Sequence, residues 1–284
     1  MLPAFEVRRP GTLAEALKLL TIMPQATPIA GGTNLLVDIR SGRLTPNFVV
    51  DLARIEELCC IHREGNELSI GGAVTLARLL EDPVIRQTAP ILAEMARSFA
   101  NVLIRNRATV GGNLANAAPC ADSAAALLVL DADVELASAE RTRRVPLSDF
   151  FVRPFETVRQ SNELLTAVRF SIPSRRTASR FEKVGLRKIS CMAKVDIAVA
   201  VTIDEVSVCQ RARIALGAAS PIAIRATDAE ATLEGQKPNE AAVDKAASLA
   251  AESIAPRTGS EYKRQVVGAL ARRLLKAALE DATA

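Results

Sequence analysis

The sequence predicts an α+β chain: two small regions mixing strands and helices, then a third in which an antiparallel sheet is followed by helices. Short strand and helix patterns alternate through the first 172 residues. Strand patterns at 180–184, 197–203 and 206–216 then follow one another with no helix between them. Helical spacing fills 227–233, 239–253 and 260–280. Strands followed by helices mark a separate α+β domain, so the expected division is 1–55, 56–172 and 173–284.

In chain order, the first helix is announced by Thr12 with Glu15 three residues on, a capping-box pattern, and by Leu13, Ala16, Leu17 and Leu20 at helical spacing. It should run to about Thr21. Residues 28–30 read as a strand entering a glycine pair, and 48–52 as a second strand after the turn at Ser41-Gly42. Strands at 59–63 and 67–70 flank Gly65-Asn66, a hairpin pattern. Gly71-Gly72 ends it and reads as a plain turn. Helices are expected over 75–80 and 90–99, the second with Pro90 in its first turn. A buried helix over 122–130 has Asp122 as its N-cap. Strands follow at 134–137 and at 164–172, the latter stopped by Pro173. The basic run Arg141-Thr142-Arg143-Arg144 reads as a solvated hairpin tip.

About half of the 284 residues are apolar, enough for a real core, and the net charge of +4 is dispersed. No nucleic-acid footprint is expected. The start of the chain lacks a basic segment followed by an apolar one, and no run approaches ~18 apolar residues, so no membrane span and a cytoplasmic location are expected. Five cysteines without Cys-x-x-Cys spacing and a single histidine, His62, argue against a metal or iron–sulfur site in this chain.

Two glycine-centred segments carry the functional argument: Ala30-Gly31-Gly32-Thr33-Asn34 and Thr109-Val110-Gly111-Gly112-Asn113. A diphosphate needs several donors converging on its oxygens, and a turn whose successive N–H groups point one way supplies them. Glycine permits such a turn and leaves the ligand unobstructed. Neither segment fits the dinucleotide-binding or P-loop glycine spacing. Each pair, expected in a strand-adjacent loop, has Thr and Asn neighbours that Gly71-Gly72 lacks. Two loops closing on one pyrophosphate explain them together.

The runs Ala-Gly-Gly-Thr-Asn-Leu-Leu at 30–36 and Ile-Arg-Asn-x-Ala-Thr-Val-Gly-Gly-Asn-Leu-Ala-Asn at 104–116 resemble those of the medium, FAD-carrying subunits of the xanthine dehydrogenase and carbon monoxide dehydrogenase group of molybdenum hydroxylases. The resemblance covers essentially the whole chain, including Glu261-Tyr262-Lys263-Arg264 and Arg272-Arg273 near its end. It implies the fold of the vanillyl-alcohol oxidase and p-cresol methylhydroxylase flavoproteins, with a C-terminal domain of the carbon monoxide dehydrogenase flavoprotein type. It also implies FAD contacts. Pro28, Ile29, Ala30, Gly31, Gly32, Thr33, Asn34 and Leu35, with Thr109, Val110, Gly111, Gly112 and Asn113, would line the pyrophosphate and ribityl chain. Phe99 would be an apolar flavin contact, Asp122 would meet the adenosine portion, and Leu165 the adenine or ring edge. Lys183 would stand near the flavin ring and Met192 on its approach, where carbon monoxide dehydrogenase-like members carry tyrosine. No room exists for the four-cysteine insertion of the benzoyl-CoA-reductase-like branch.

The implied partners are a large subunit holding a molybdopterin-type molybdenum cofactor and a small subunit with two [2Fe-2S] clusters, in an (αβγ)2 assembly. This chain would pass electrons from the clusters through FAD to NAD+, O2 or another acceptor, with no acid–base residue of its own. A stand-alone FAD-dependent oxidase or dehydrogenase of the same fold, and a non-catalytic nucleotide-binding protein, are the alternatives.

Overall fold

The structure is a computed structural model that describes residues 3–187, 190–256 and 259–283. The chain divides into two compact units: residues 1–79, 101–117 and 132–171 in one, and 80–100, 118–131 and 172–284 in the other.

The first unit holds two larger sheets. A parallel three-stranded sheet has Phe48–Asp51 between Glu6–Arg8 and Thr27–Ile29. The helix Leu13–Ile22 starts as expected: the Thr12 side chain accepts from the Glu15 N–H at 3.2 Å. Its apolar stripe, Ala16, Leu17 and Leu20, is buried with Val50, Ile55 and Leu58. The second sheet is antiparallel, in the order Ile61–Glu64, Glu67–Gly71, Leu164–Ser171, Asp133–Ala137, Thr142–Pro146.

That last strand corrects one expectation. The basic run is a hairpin tip only in part: Arg141 lies in the exposed turn, its carbonyl accepting from the Ser138 N–H at 2.8 Å, whereas Thr142, Arg143 and Arg144 belong to the strand and pair with Ala137, Leu136 and Glu135. Arg143 forms a fork with Glu163 at 2.7 and 2.9 Å, and Arg144 one with Glu67 at 2.9 and 3.1 Å. Strand residues that alternate between sheet faces can each find a carboxylate, which a count of like charges does not reveal.

In the second unit, a four-stranded antiparallel sheet runs Thr177–Gly185, Ala193–Ile203, Cys209–Gly217, Ile224–Arg225. The third strand starts later than expected because Asp204 accepts from the N–H groups of Val206 and Val208, fixing a turn there. Val195, Ile197, Val199 and Val201 point to one face and are buried with Val243, Ala246, Val267, Ala271 and Leu275 of the helices Glu240–Glu252 and Ser260–Thr283. Alternation sends Asp196, Ala198 and Ala200 to the opposite face. The helices Pro90–Ser98 and Asp122–Leu128 pack on this sheet, the latter buried at every position. Asp122 is not the N-cap: Ala121 occupies that position and Asp122 lies buried in the first turn.

Candidate functional site

The candidate residues fall into two groups, one in each unit. In the first unit, the Leu52 N–H bonds the Ile29 carbonyl at 2.8 Å, after which the chain leaves the sheet at Ala30. Gly32 adopts φ 72°, a left-handed conformation suited to glycine. The short helix Leu35–Arg40 follows; Leu36 N–H bonds Gly32 O, and Val37 and Asp38 N–H both bond Asn34 O. Among the described residues, the N–H groups of Gly31, Gly32, Thr33 and Asn34 donate to no protein acceptor, and the Asn34 side chain makes no capping bond. Four consecutive donors thus remain for something outside the chain. Such a run favours anionic oxygens.

The second segment is built differently. It opens the helix Val110–Ala115, with Thr109 as N-cap accepting from Gly112 N–H at 3.0 Å. Val110 N–H bonds Val74 O, Gly111 N–H bonds Gly72 O and Asn113 N–H bonds Thr109 O, each at 2.9 Å. Backbone donors that the first segment leaves open are here spent inside the protein. The glycines instead allow close approach. A Cβ on Gly111 would lie 2.6 Å from Gly72 O, and one on Gly72 would overlap the carbonyl of Leu165, which is buried. Gly71-Gly72 is therefore no plain turn; Gly72 is sandwiched between the second segment and the strand Leu164–Ser171. A Cβ on Gly31 would overlap the Arg107 carbonyl oxygen, so the first loop lies directly against the backbone leading into Thr109. The structure brings the two glycine segments and Leu165 together.

In the second unit, Lys183 Nζ donates to Asp122 Oδ2 at 2.5 Å, and both side chains are nearly inaccessible. Directly across the sheet from Lys183 stands Asp196, fully buried, and on its other side Asp196 faces Gly217. A Cβ at position 217 would overlap the Asp196 carboxylate, so that carboxylate lies flat over the glycine. Neither Asp196 oxygen, nor Asp122 Oδ1, has a hydrogen-bond partner. Burial, with the neighbouring Asp122 charge, pushes the Asp196 carboxyl well above the usual carboxylate range against the pull of Lys183. Burial also raises Asp122, opposed by Lys183. Cys120 beside them is raised, chiefly by burial and then by Asp122.

Lys183 also lines a cleft of about 390 Å³ with Ser98, Val184, Leu186, Arg187 and Cys191. Phe99 follows Ser98 as the C-terminal cap of Pro90–Ser98 and is half-buried. Met192 is 76 % exposed and is not part of the cleft wall. Sequence reasoning missed Asp196. Its one signal was an acid interrupting the apolar alternation of Val195-Asp196-Ile197.

Comparison with known proteins matches residues 3–174 to the FAD binding domain in molybdopterin dehydrogenase and residues 181–278 to the CO dehydrogenase flavoprotein C-terminal domain. The chain is 33% identical over 284 residues to the carbon monoxide dehydrogenase medium chain of Afipia carboxidovorans, covering 98% of each. It is 31% identical over 280 residues to a xanthine dehydrogenase FAD-binding subunit of Escherichia coli, covering 96% of each. Among solved structures, carbon monoxide dehydrogenase from Hydrogenophaga pseudoflava superimposes with a TM-score of 0.94 at 30% identity over 99% of both chains. Quinoline 2-oxidoreductase from Pseudomonas putida gives 0.93 at 31% over 100% of both.

Proposed function

Because the chain belongs to the FAD-binding subunits of the molybdopterin dehydrogenases, we propose that it is the electron-transfer flavoprotein of a molybdenum hydroxylase, taking electrons from [2Fe-2S] clusters of a small partner subunit and passing them to NAD+, O2 or another acceptor. It is an oxidoreductase subunit whose cofactor is FAD. The observation that carries the reading is the run of four unengaged N–H groups at Gly31, Gly32, Thr33 and Asn34, next to a glycine backed by the Arg107 carbonyl. Those donors suit the oxygens of a diphosphate. The chemistry of the donor set fits the cofactor.

Bound FAD supplies the ability to accept electrons singly and release them in pairs. The chain's own residues bind and orient. Residues 28–35 would take the pyrophosphate and ribityl chain. Thr109, Val110, Gly111, Gly112 and Asn113 would hold the floor of that loop, and Leu165 would back it. Phe99, Asp122, Lys183 and Met192 would meet the nucleoside and ring portions, Lys183 bringing a positive charge toward the ring. The regions 1–55 and 56–172 would form the FAD-binding part and 173–284 the C-terminal domain. A large molybdopterin subunit would carry substrate, in an (αβγ)2 assembly of the cytoplasm; no helix among the described residues is long and apolar enough to cross a membrane.

Purification from the source organism under gentle conditions tests this. A yellow protein that releases FAD on heating and travels with molybdenum and iron is the expected result. A colourless chain that cannot be reconstituted with FAD would end the cofactor assignment, and an active homo-oligomer would end the subunit assignment.

A further inference from the structure

We infer that Asp196 is a positioning residue of the Lys183 wall of the cleft, held as a neutral, proton-carrying acid so that the lysine's charge is shared with one carboxylate rather than two. The inference rests on the flavin reading of that wall. Two buried acids face one buried base here: Asp122 at 2.5 Å from the ammonium, and Asp196 in direct cross-strand register with Lys183. With both acids ionised, the cluster would carry a net negative charge out of contact with water. Three of its carboxylate oxygens, two on Asp196 and one on Asp122, have no hydrogen-bond partner to offset that burial. One proton removes the imbalance, and Asp196 is where it belongs: Asp122 has the direct ion pair, whereas Asp196 is fully buried over Gly217 with neither oxygen bonded.

The neighbours on every side fit this arrangement. The segment entering the helix Asp122–Leu128 presents Asp122 and Cys120, and one flanking strand presents Lys183. The other flanking strand presents Gly217, with no charge at all. The helix Pro90–Ser98 directs Glu94 to the Phe181 N–H. Lys183 is thus the one cation bearing on Asp196 among the described residues, and it is already committed to Asp122. With Asp196 neutral, the Lys183–Asp122 pair carries no net charge, and the ammonium's other donors are left for an electron-rich group in the cleft. If Asp196 loses its proton, a second negative charge behind the lysine weakens that wall.

The test uses the full chain. Infrared spectra with isotope-labelled aspartate, taken with and without FAD, should show a protonated aspartate C=O band at about pH 7. Asp196→Asn should remove the band, and Asp122→Asn, which leaves Asp196 as the one carboxylate facing Lys183, should weaken it. FAD affinity, read by flavin fluorescence along a pH titration, should fall roughly tenfold in the wild type as the second charge appears. In Asp196→Asn it should stay flat. Absence of the band from the wild type overturns the inference even if no variant folds. So does a band that survives Asp196→Asn, or an identical pH profile in wild type and variant. Failure to bind FAD would instead remove the flavin reading, and the infrared result on Asp196 would stand apart from it.

Discussion

At the scale of single residues, Lys183 and Asp122 gain their meaning from each other. A buried pair broken by removing one partner leaves the other as an uncompensated charge, a cost of about 3–5 kcal/mol. Lys183→Met should therefore destabilise strongly, and Lys183→Met with Asp122→Asn should recover most of the loss, as read by urea unfolding. Asp196 gives a pH signature. Its carboxyl is held well above the usual carboxylate range by burial and by Asp122, so the folded protein keeps a proton that the unfolded chain gives up above about pH 4. Stability should then decline as pH rises from there until Asp196 itself ionises, by up to about 1.4 kcal/mol per pH unit. Asp196→Asn should lack that component; equal slopes for the two proteins would rule it out. Gly31 is as demanding. A methyl there meets the Arg107 carbonyl, part of a backbone that cannot swing aside, so Gly31→Ala should cost at least the 1–3 kcal/mol typical of overpacking, about that much again if the loop is displaced, and should yield protein without FAD. The residue pattern made Gly31 visible in the sequence. It did not show that the Arg107 backbone leaves no room for a side chain there.

Elements were legible where local signals were strong and misleading where packing overrode them. Thr12 with Glu15, and Asn239 before Glu240–Glu252, start helices where the sequence says they should. The helix Val110–Ala115 was invisible because its first turn contains two glycines, each costing about 1 kcal/mol in a helix. Tertiary bonds to Val74 and Gly72 and the Thr109 cap sustain it. The two decorated glycine pairs consequently do different work: one exposes donors, the other consumes them to bring backbones together. Thr109→Ala should test this division. Loss of the cap should cost about 1 kcal/mol, and the helix start should loosen beside the Gly31 loop, lowering FAD affinity. Asp82 caps Pro83–Thr88 through the N–H groups of Val84 and Ile85. Asp82→Ala should carry a similar stability cost and leave FAD affinity alone, a contrast measurable by chemical denaturation beside fluorescence titration.

For the molecule as a whole, order along the chain and packing in space diverge. Strand and helix patterns suggest a break near Pro173, and the two family matches meet between residues 174 and 181. Yet the compact unit containing the C-terminal sheet also recruits residues 80–100 and 118–131. Periodicity reports which face of an element is apolar but not which distant element covers it, so this recruitment could not be read from sequence. The alanines of Asp122–Leu128 are buried in that unit with Ala198, Ala200 and Ala215 of the sheet. A fragment of 173–284 alone would keep the core formed with Glu240–Glu252 and Ser260–Thr283, but its opposite face would lie bare, with Lys183 and Asp196 deprived of Asp122. Such an exposed apolar face promotes association. The fragment should therefore aggregate or show fast amide exchange across Thr177–Gly185 and Ala193–Ile203, whereas the full chain should protect both strands. Supplying 80–100 and 118–131 by linkers in a rearranged chain should restore that protection; a fragment of 173–284 that is monomeric and fully protected by itself would show that the two recruited segments do not hold the sheet.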